Sequence, residues 1–139
     1  MSRTAGDPSP AYREGQLLPY VPPWVFRLDL TLKHALTRVA NHELGGRIGA
    51  GLNVLSSRPL PHDQWASPFA LLDMSAGIRF REFDLGVDVY NVLDRRWADT
   101  ELSFPSSWPL GREIPSSLPS RHFVAGNPRT ILANLTVSL

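Results

Sequence analysis

The chain contains no cysteine in 139 residues, which excludes a disulfide scaffold and a cysteine-ligated zinc site. No apolar run approaches the roughly 18 residues of a membrane-spanning helix. Nor is there a surplus of either charge: 14 Lys+Arg stand against 13 Asp+Glu, scattered along the chain, without the basic stripe of a nucleic-acid binder. The opening residues Met1 to Pro8 lack the apolar core of a secretory signal. The expectation is therefore either a cytoplasmic protein or a fragment whose targeting sequence lay upstream. What the chain does have is 13 prolines and 10 glycines. They are too many for a helical bundle, and they fall between apolar stretches as punctuation.

Those stretches alternate with period two, the mark of strands with one apolar face. After a Pro-rich loop over 1–23, Trp24, Phe26, Leu28, Leu30 and Leu32 face one way and Arg27, Asp29, Thr31 and Lys33 the other. Over 46–57, Ile48, Ala50, Leu52 and Val54 oppose Arg47, Gly49, Gly51 and Asn53. Over 70–80, Leu72, Met74, Ala76, Ile78 and Phe80 oppose Asp73, Ser75, Gly77 and Arg79. Over 83–93, Phe83, Leu85, Val87 and Val89 oppose Asp84, Gly86, Asp88 and Tyr90. A final strand over 130–139 carries Ile131, Ala133, Leu135 and Val137.

The apolar face is even-numbered before Arg81-Glu82 and odd-numbered after it. Hairpin partners such as 80 with 83 sum to an odd number, so both faces land on the same side of the sheet. The fold class expected is all-β, an antiparallel meander of about five strands.

The connections are expected to alternate: 37–45 moderate, 58–68 long, 81–82 short, 94–127 very long and without regular structure. A loop of that last length counts against a compact soluble domain. Short turns at one end and long loops at the other, on strands of about ten residues, match an outer-membrane barrel. A soluble all-β binding domain, its apolar faces forming an internal core and 94–127 a lid, stays open.

Catalytic chemistry finds no constellation. His34, His42, His62 and His122 lie in different segments without ligand spacing, and Ser56-Ser57 has no His/Asp partners. Asp84 and Asp88 stand about 13 Å apart along a strand, too far for a glycosidase pair. No enzyme activity, metal or cofactor is expected. Asn91 and Asp94 at a strand end read as turn caps or as ligand-binding groups.

Three segments resemble the C-terminal end of TonB-dependent outer-membrane receptors, which import ferric siderophores, cobalamin and similar scarce ligands. Gly15-Gln16-Leu17-Leu18-Pro19-Tyr20-Val21-Pro22 is similar to that family's G-x-x-L-P-x-x-P before a late barrel strand. Tyr90-Asn91-Val92-Leu93-Asp94-Arg95-Arg96-Trp97 resembles its N-L-F-D-x-x-Y, with Leu93 and Trp97 in place of aromatics. Gly126-Asn127-Pro128-Arg129-Thr130 resembles the G-x-P-R-T that opens the last strand. Leu139 stands where the family commonly ends in an aromatic residue read by the barrel-assembly machinery.

The resemblance spans about 15–139 and implies the C-terminal piece of a transmembrane β-barrel, 22-stranded when complete. The plug domain, the earlier strands and the box that engages the TonB energy-transducing complex would then lie outside these residues. Five strands do not close on themselves, so the chain alone is not expected to transport. The partners implied are outer-membrane lipid and lipopolysaccharide, the plug and missing strands, TonB through the plug, and the assembly machinery. Residues 1–23 would form an extracellular lead-in and 24–139 the barrel strands. Connections 58–68 and 94–127 would lie outside the cell, 37–45 and 81–82 in the periplasm. Arg27, Asp29, Lys33, Arg47, Asp73, Arg79, Asp84 and Asp88 would line the lumen. Trp65, Phe104, Trp108 and Arg112 would contact ligand through stacking and charge. Asn91, Asp94, Pro128 and Arg129 are the family-motif positions.

Overall fold

A computed structural model describes residues 17–106, 108–110, 113–116 and 119–138. Every regular element among them is a strand. A five-stranded antiparallel sheet in the order β1-β2-β5-β6-β11 is built from β1 (Val25–Val39), β2 (His42–Leu55), β5 (Phe69–Phe80), β6 (Phe83–Tyr90) and β11 (Thr130–Val137). Two hairpins stand on the connections at one end of this sheet. The first is β3 (Arg58–Leu60) with β4 (Gln64–Ala66), the second β7 (Ala98–Pro105) with β10 (Pro119–Ala125). Between β7 and β10, a short ladder joins β8 (Trp108–Leu110) to β9 (Glu113–Ser116).

The register has the expected parity. Leu28 lies opposite Leu52, Leu52 opposite Leu72, Phe80 opposite Phe83, and Val89 opposite Ile131. One face of the sheet is therefore apolar, with His34 as a polar exception on β1, and the other carries the charges.

Two expectations about connections are corrected. The 37–45 segment is not a moderate loop, because β1 continues to Val39 and β2 starts at His42. The turn is Ala40-Asn41, with φ of 46° and 66°, the left-handed pair that a tight hairpin matched to strand twist requires. Period two fails there because a bulge between Ala35 and Thr37 places an extra residue, Leu36, in β1. Beyond the bulge the odd positions Thr37 and Val39 take the apolar side. The 94–127 connection is not structureless either, since β7 to β10 occupy much of it. Its strands pair with each other rather than with the main sheet, so their short, Pro-interrupted runs carry little alternation. The 58–68 connection likewise folds, around His62-Asp63, both with positive φ. The fourth strand ends at Tyr90, not 93, where Asn91 turns left-handed with φ 51°.

Both short turns, Ala40-Asn41 and Arg81-Glu82, lie at one end of the sheet, and Ser138 joins them there through its N–H to the Glu82 carbonyl at 2.9 Å. Both hairpin extensions stand at the opposite end.

Apart from Gly86, covered by the Arg47 and Asn134 side chains, burial among the described residues is confined to that opposite end. The buried apolar residues among those described are Leu60, Ala66 and Leu71, accompanied by the polar Ser56, Arg58, Asn91, Glu101 and Ser103. Among the described residues no second layer covers the main sheet. Leu32 is 69% exposed, Ile48 59% and Ile131 65%, and Leu30, Met74, Ile78, Leu85 and Leu135 are exposed with them.

Candidate functional site

Alternation and register bring all eight charged positions expected to line a lumen to one face, where the paired positions Arg38 and Glu43 join them near the β1–β2 turn. Arg27 and Asp29 lie on β1 with Lys33, Arg47 on β2, Asp73 and Arg79 on β5, and Asp84 and Asp88 on β6. Within it, Arg47 extends over β5 at Gly77 and hydrogen-bonds the Asp84 carboxylate on β6. A Cβ at Gly77 would sit 2.7 Å from the Arg47 guanidinium carbon, and one at Gly86 would meet both Arg47 and Asn134. These glycines are thus the floor that lets a long cation cross the sheet. Asn134 donates to Asp88 at 2.9 Å, and Arg27 pairs with Asp29 at 2.8 Å on the exposed surface. The exposed pair contributes little to stability.

The motif residues at the ends of β6 and β11 form a clasp. Asn91 is buried, and its backbone N–H donates to Asp73 Oδ1 at 2.8 Å. Its side-chain amide donates to the carbonyls of Arg95 (2.9 Å) and Asn127 (3.3 Å), while its Oδ1 accepts from the Arg95 N–H at 3.0 Å. Asp94 Oδ1 accepts from the Arg129 N–H at 3.0 Å. Trp97 donates its indole N–H to the Asn127 carbonyl at 3.1 Å and packs its ring on Gly126, where any Cβ would overlap it. Phe69 meets the same ring at 4.8 Å between centroids. Asn91 and Asp94 therefore cap turns. Pro128 supplies its carbonyl to the Thr130 hydroxyl at 3.0 Å.

At the hairpin end, Glu101 on β7 is buried, accepts from the Ser67 N–H at 2.7 Å and pairs with Arg121 of β10 at 3.3 Å. Arg121 also donates to the Trp65 carbonyl at 3.2 Å, tying the two hairpins together. Leu18 to Val21 form a turn closed at 3.2 Å, with Pro19 first and Tyr20 left-handed (φ 68°), the positions a type II turn assigns. Tyr20 then docks its N–H on the Pro59 carbonyl at 2.7 Å and its hydroxyl on the Ser103 carbonyl at 3.4 Å. None of these anchors stands out in the sequence, because each is an isolated polar residue whose partner lies tens of positions away.

Of the four residues expected to contact ligand, Trp65 lies exposed on β4, and Phe104 lies exposed on β7 with its ring stacked on His122 at 4.0 Å. The structure brings their hairpins together at one end of the sheet. Trp108 is in β8, and Arg112 lies outside the described residues, as do Leu139 and Gly15. His62 shares a hydrogen bond with Ser103 at 3.2 Å, His122 one with Ser120 at 3.1 Å, and His42 meets Phe80 edge-on. Among the described residues, no three His, Asp or Glu side chains stand together as a metal cage would need. The molecule is thus an antiparallel β-meander with one bare apolar face, one charged face and a polar cap of hairpins. No family model, curated protein or solved structure matches the chain.

Proposed function

We propose that this chain is the C-terminal β-barrel segment of a TonB-dependent outer-membrane receptor, taking up a ferric siderophore or a similarly scarce ligand, and that it transports only within the complete 22-stranded barrel. The observation that carries the reading is the continuous apolar face of the five-stranded sheet, exposed across all five strands. Full burial of an aliphatic side chain is worth about 1.5–3 kcal/mol, so the half-exposed aliphatics of this face leave on the order of 10 kcal/mol unrealised in water. That is comparable with the whole stability of a domain. Lipid realises it.

The dimensions agree. From Phe26 to Leu36 the apolar face of β1 runs about 33 Å at roughly 3.3 Å per residue. At a barrel tilt of about 40° this becomes a band about 25 Å tall, the height of an outer-membrane apolar belt. Trp24 and Phe26 mark one margin, Phe80 and Phe83 the other, where aromatic girdles belong. The charged face then lines the lumen and meets the plug. The two edges, β1 and β11, take the missing strands, because an unpaired edge in lipid costs several kcal/mol per orphaned group. The hairpin end with Trp65 and Phe104 is the outer surface, where ligand is first held.

A soluble all-β domain needs a second layer over the apolar face. The described residues supply none.

The reading frame upstream of the Met1 codon tests the proposal. An in-frame plug and earlier strands are expected there, and an intergenic gap with its own promoter would count against it.

A further inference from the structure

A cavity of about 390 Å³ opens on the charged face beside the clasp, within the roughly 300–1,000 Å³ typical of small-ligand sites. Leu71 and Asp73 of β5, Tyr90 of β6 and Leu132 of β11 line it, and Trp97 with the Asn127 segment closes it on the hairpin side. Leu132, like Leu71, is an aliphatic residue on the charged side of the sheet, directly opposite Asp88 in register, and membrane contact does not account for it there.

We propose that this cavity binds a small organic cation, an ammonium group carried on an aromatic or aliphatic body. Asp73 is its one charged wall. Its Oδ1 accepts the Asn91 N–H, and among the described residues it forms no ion pair, the nearby Arg27 being paired with Asp29. The Arg27 charge reaches Asp73 without a contact, and the second carboxylate oxygen, beside apolar walls, is the group that would take a cation. The aromatic lining calls for the same charge, since the faces of Trp and Tyr rings attract ammonium groups.

The site is built rather than incidental. Trp97 is held by its bond to the Asn127 carbonyl, by Gly126 beneath it and by Phe69 at its side, so one wall is ordered before any ligand arrives. Leu71 is buried and fixes the floor. Leu132 and Tyr90 offer apolar contact to the body of the ligand, while the second Asp73 oxygen takes its head. The inference is independent of what covers the opposite face, because every wall lies on the charged side of the sheet or in the clasp.

The test uses the full chain refolded in alkyl maltoside micelles, a neutral detergent that does not compete as a cation. The probe is 2-phenylethylammonium and its control the anionic isostere 3-phenylpropanoate. The readouts are the Trp97 indole N–H, assigned by its loss in Trp97→Phe, and the backbone amides of Asn91 and Thr130. Saturable shifts with the cation and none with the anion are expected. Asp73→Asn keeps an oxygen for the Asn91 N–H and so preserves the clasp, yet should weaken binding at least tenfold. Tyr90→Leu, which keeps apolar bulk without the ring face, should weaken it about threefold. Equal binding of the anion, or an Asp73→Asn variant that binds as well as the parent, would overturn the inference. So would an absence of saturable shifts at dispersed amide signals, or a chain that gives no dispersed β spectrum and hence has no such cavity.

Discussion

Arg47 on β2 reaches across an intervening strand to hydrogen-bond Asp84 on β6, and the path it takes is open because residue 77 has no side chain. Three strands are tied by one side chain. Gly77→Ala should push the guanidinium off this path and release Asp84, at a cost of about 0.5–1 kcal/mol for a pair roughly a third exposed. A double-mutant cycle with Asp84→Asn checks it. The Gly77→Ala effect should nearly vanish in the Asp84→Asn background, and persistence of the full effect would show that Arg47 is not the group displaced.

The clasp makes a larger prediction. Asn91→Ala removes a buried amide with three hydrogen bonds and leaves the Arg95 N–H and carbonyl without that partner, while the Asn127 carbonyl keeps the Trp97 indole N–H, which should cost about 1–3 kcal/mol. Because Asn91 is left-handed, Asn91→Gly should be milder than Asn91→Ala by about 1 kcal/mol. Denaturant unfolding in micelles measures both. An alanine variant as stable as glycine would contradict the strain assigned to this position.

Gly126→Ala places a methyl group within the Trp97 ring, so the indole must leave its seat. Loss of the Trp97 near-ultraviolet dichroism is expected, with destabilisation of about 1–3 kcal/mol from overpacking. Retention of the native signal would mean that backbone movement absorbs the added carbon.

The topology that the proposed function requires is open to test in a receptor completed with a plug and earlier strands. A tag near Ser106 should be accessible on intact cells and one at Asn41 protected, because they stand at opposite ends of the sheet. Trp65→Ala and Phe104→Ala should weaken ligand binding while leaving insertion unchanged. Reversed accessibility would invert the outer and inner ends.

The five strands of the main sheet, their face assignment and the register between Phe80 and Phe83 are legible in the sequence because side chains alternate strictly along a strand. Legibility stops where local pattern stops. Leu36 illustrates this, since one bulged residue hides the last turn of β1 and makes a two-residue hairpin look like a loop. The β3–β4 and β7–β10 hairpins are tied to each other by side chain to backbone contacts such as Arg121 to Trp65, which leave no periodic trace. Asn91 reads as a turn cap from its neighbours, but its bond to Asn127 spans the chain and emerges only in the folded molecule. Arg47 is recognisable as a polar-face residue. Its partner depends on the absence of a side chain at Gly77, which pattern registers only as a weak strand position.

Analytical ultracentrifugation of the purified chain, in water and in detergent, tests the central claim that lipid covers the apolar face. The chain should aggregate in water and sediment as a discrete β-rich species only when micelles cover Leu32, Ile48, Val87 and Ile131. A monodisperse, cooperatively melting monomer in plain buffer would contradict it.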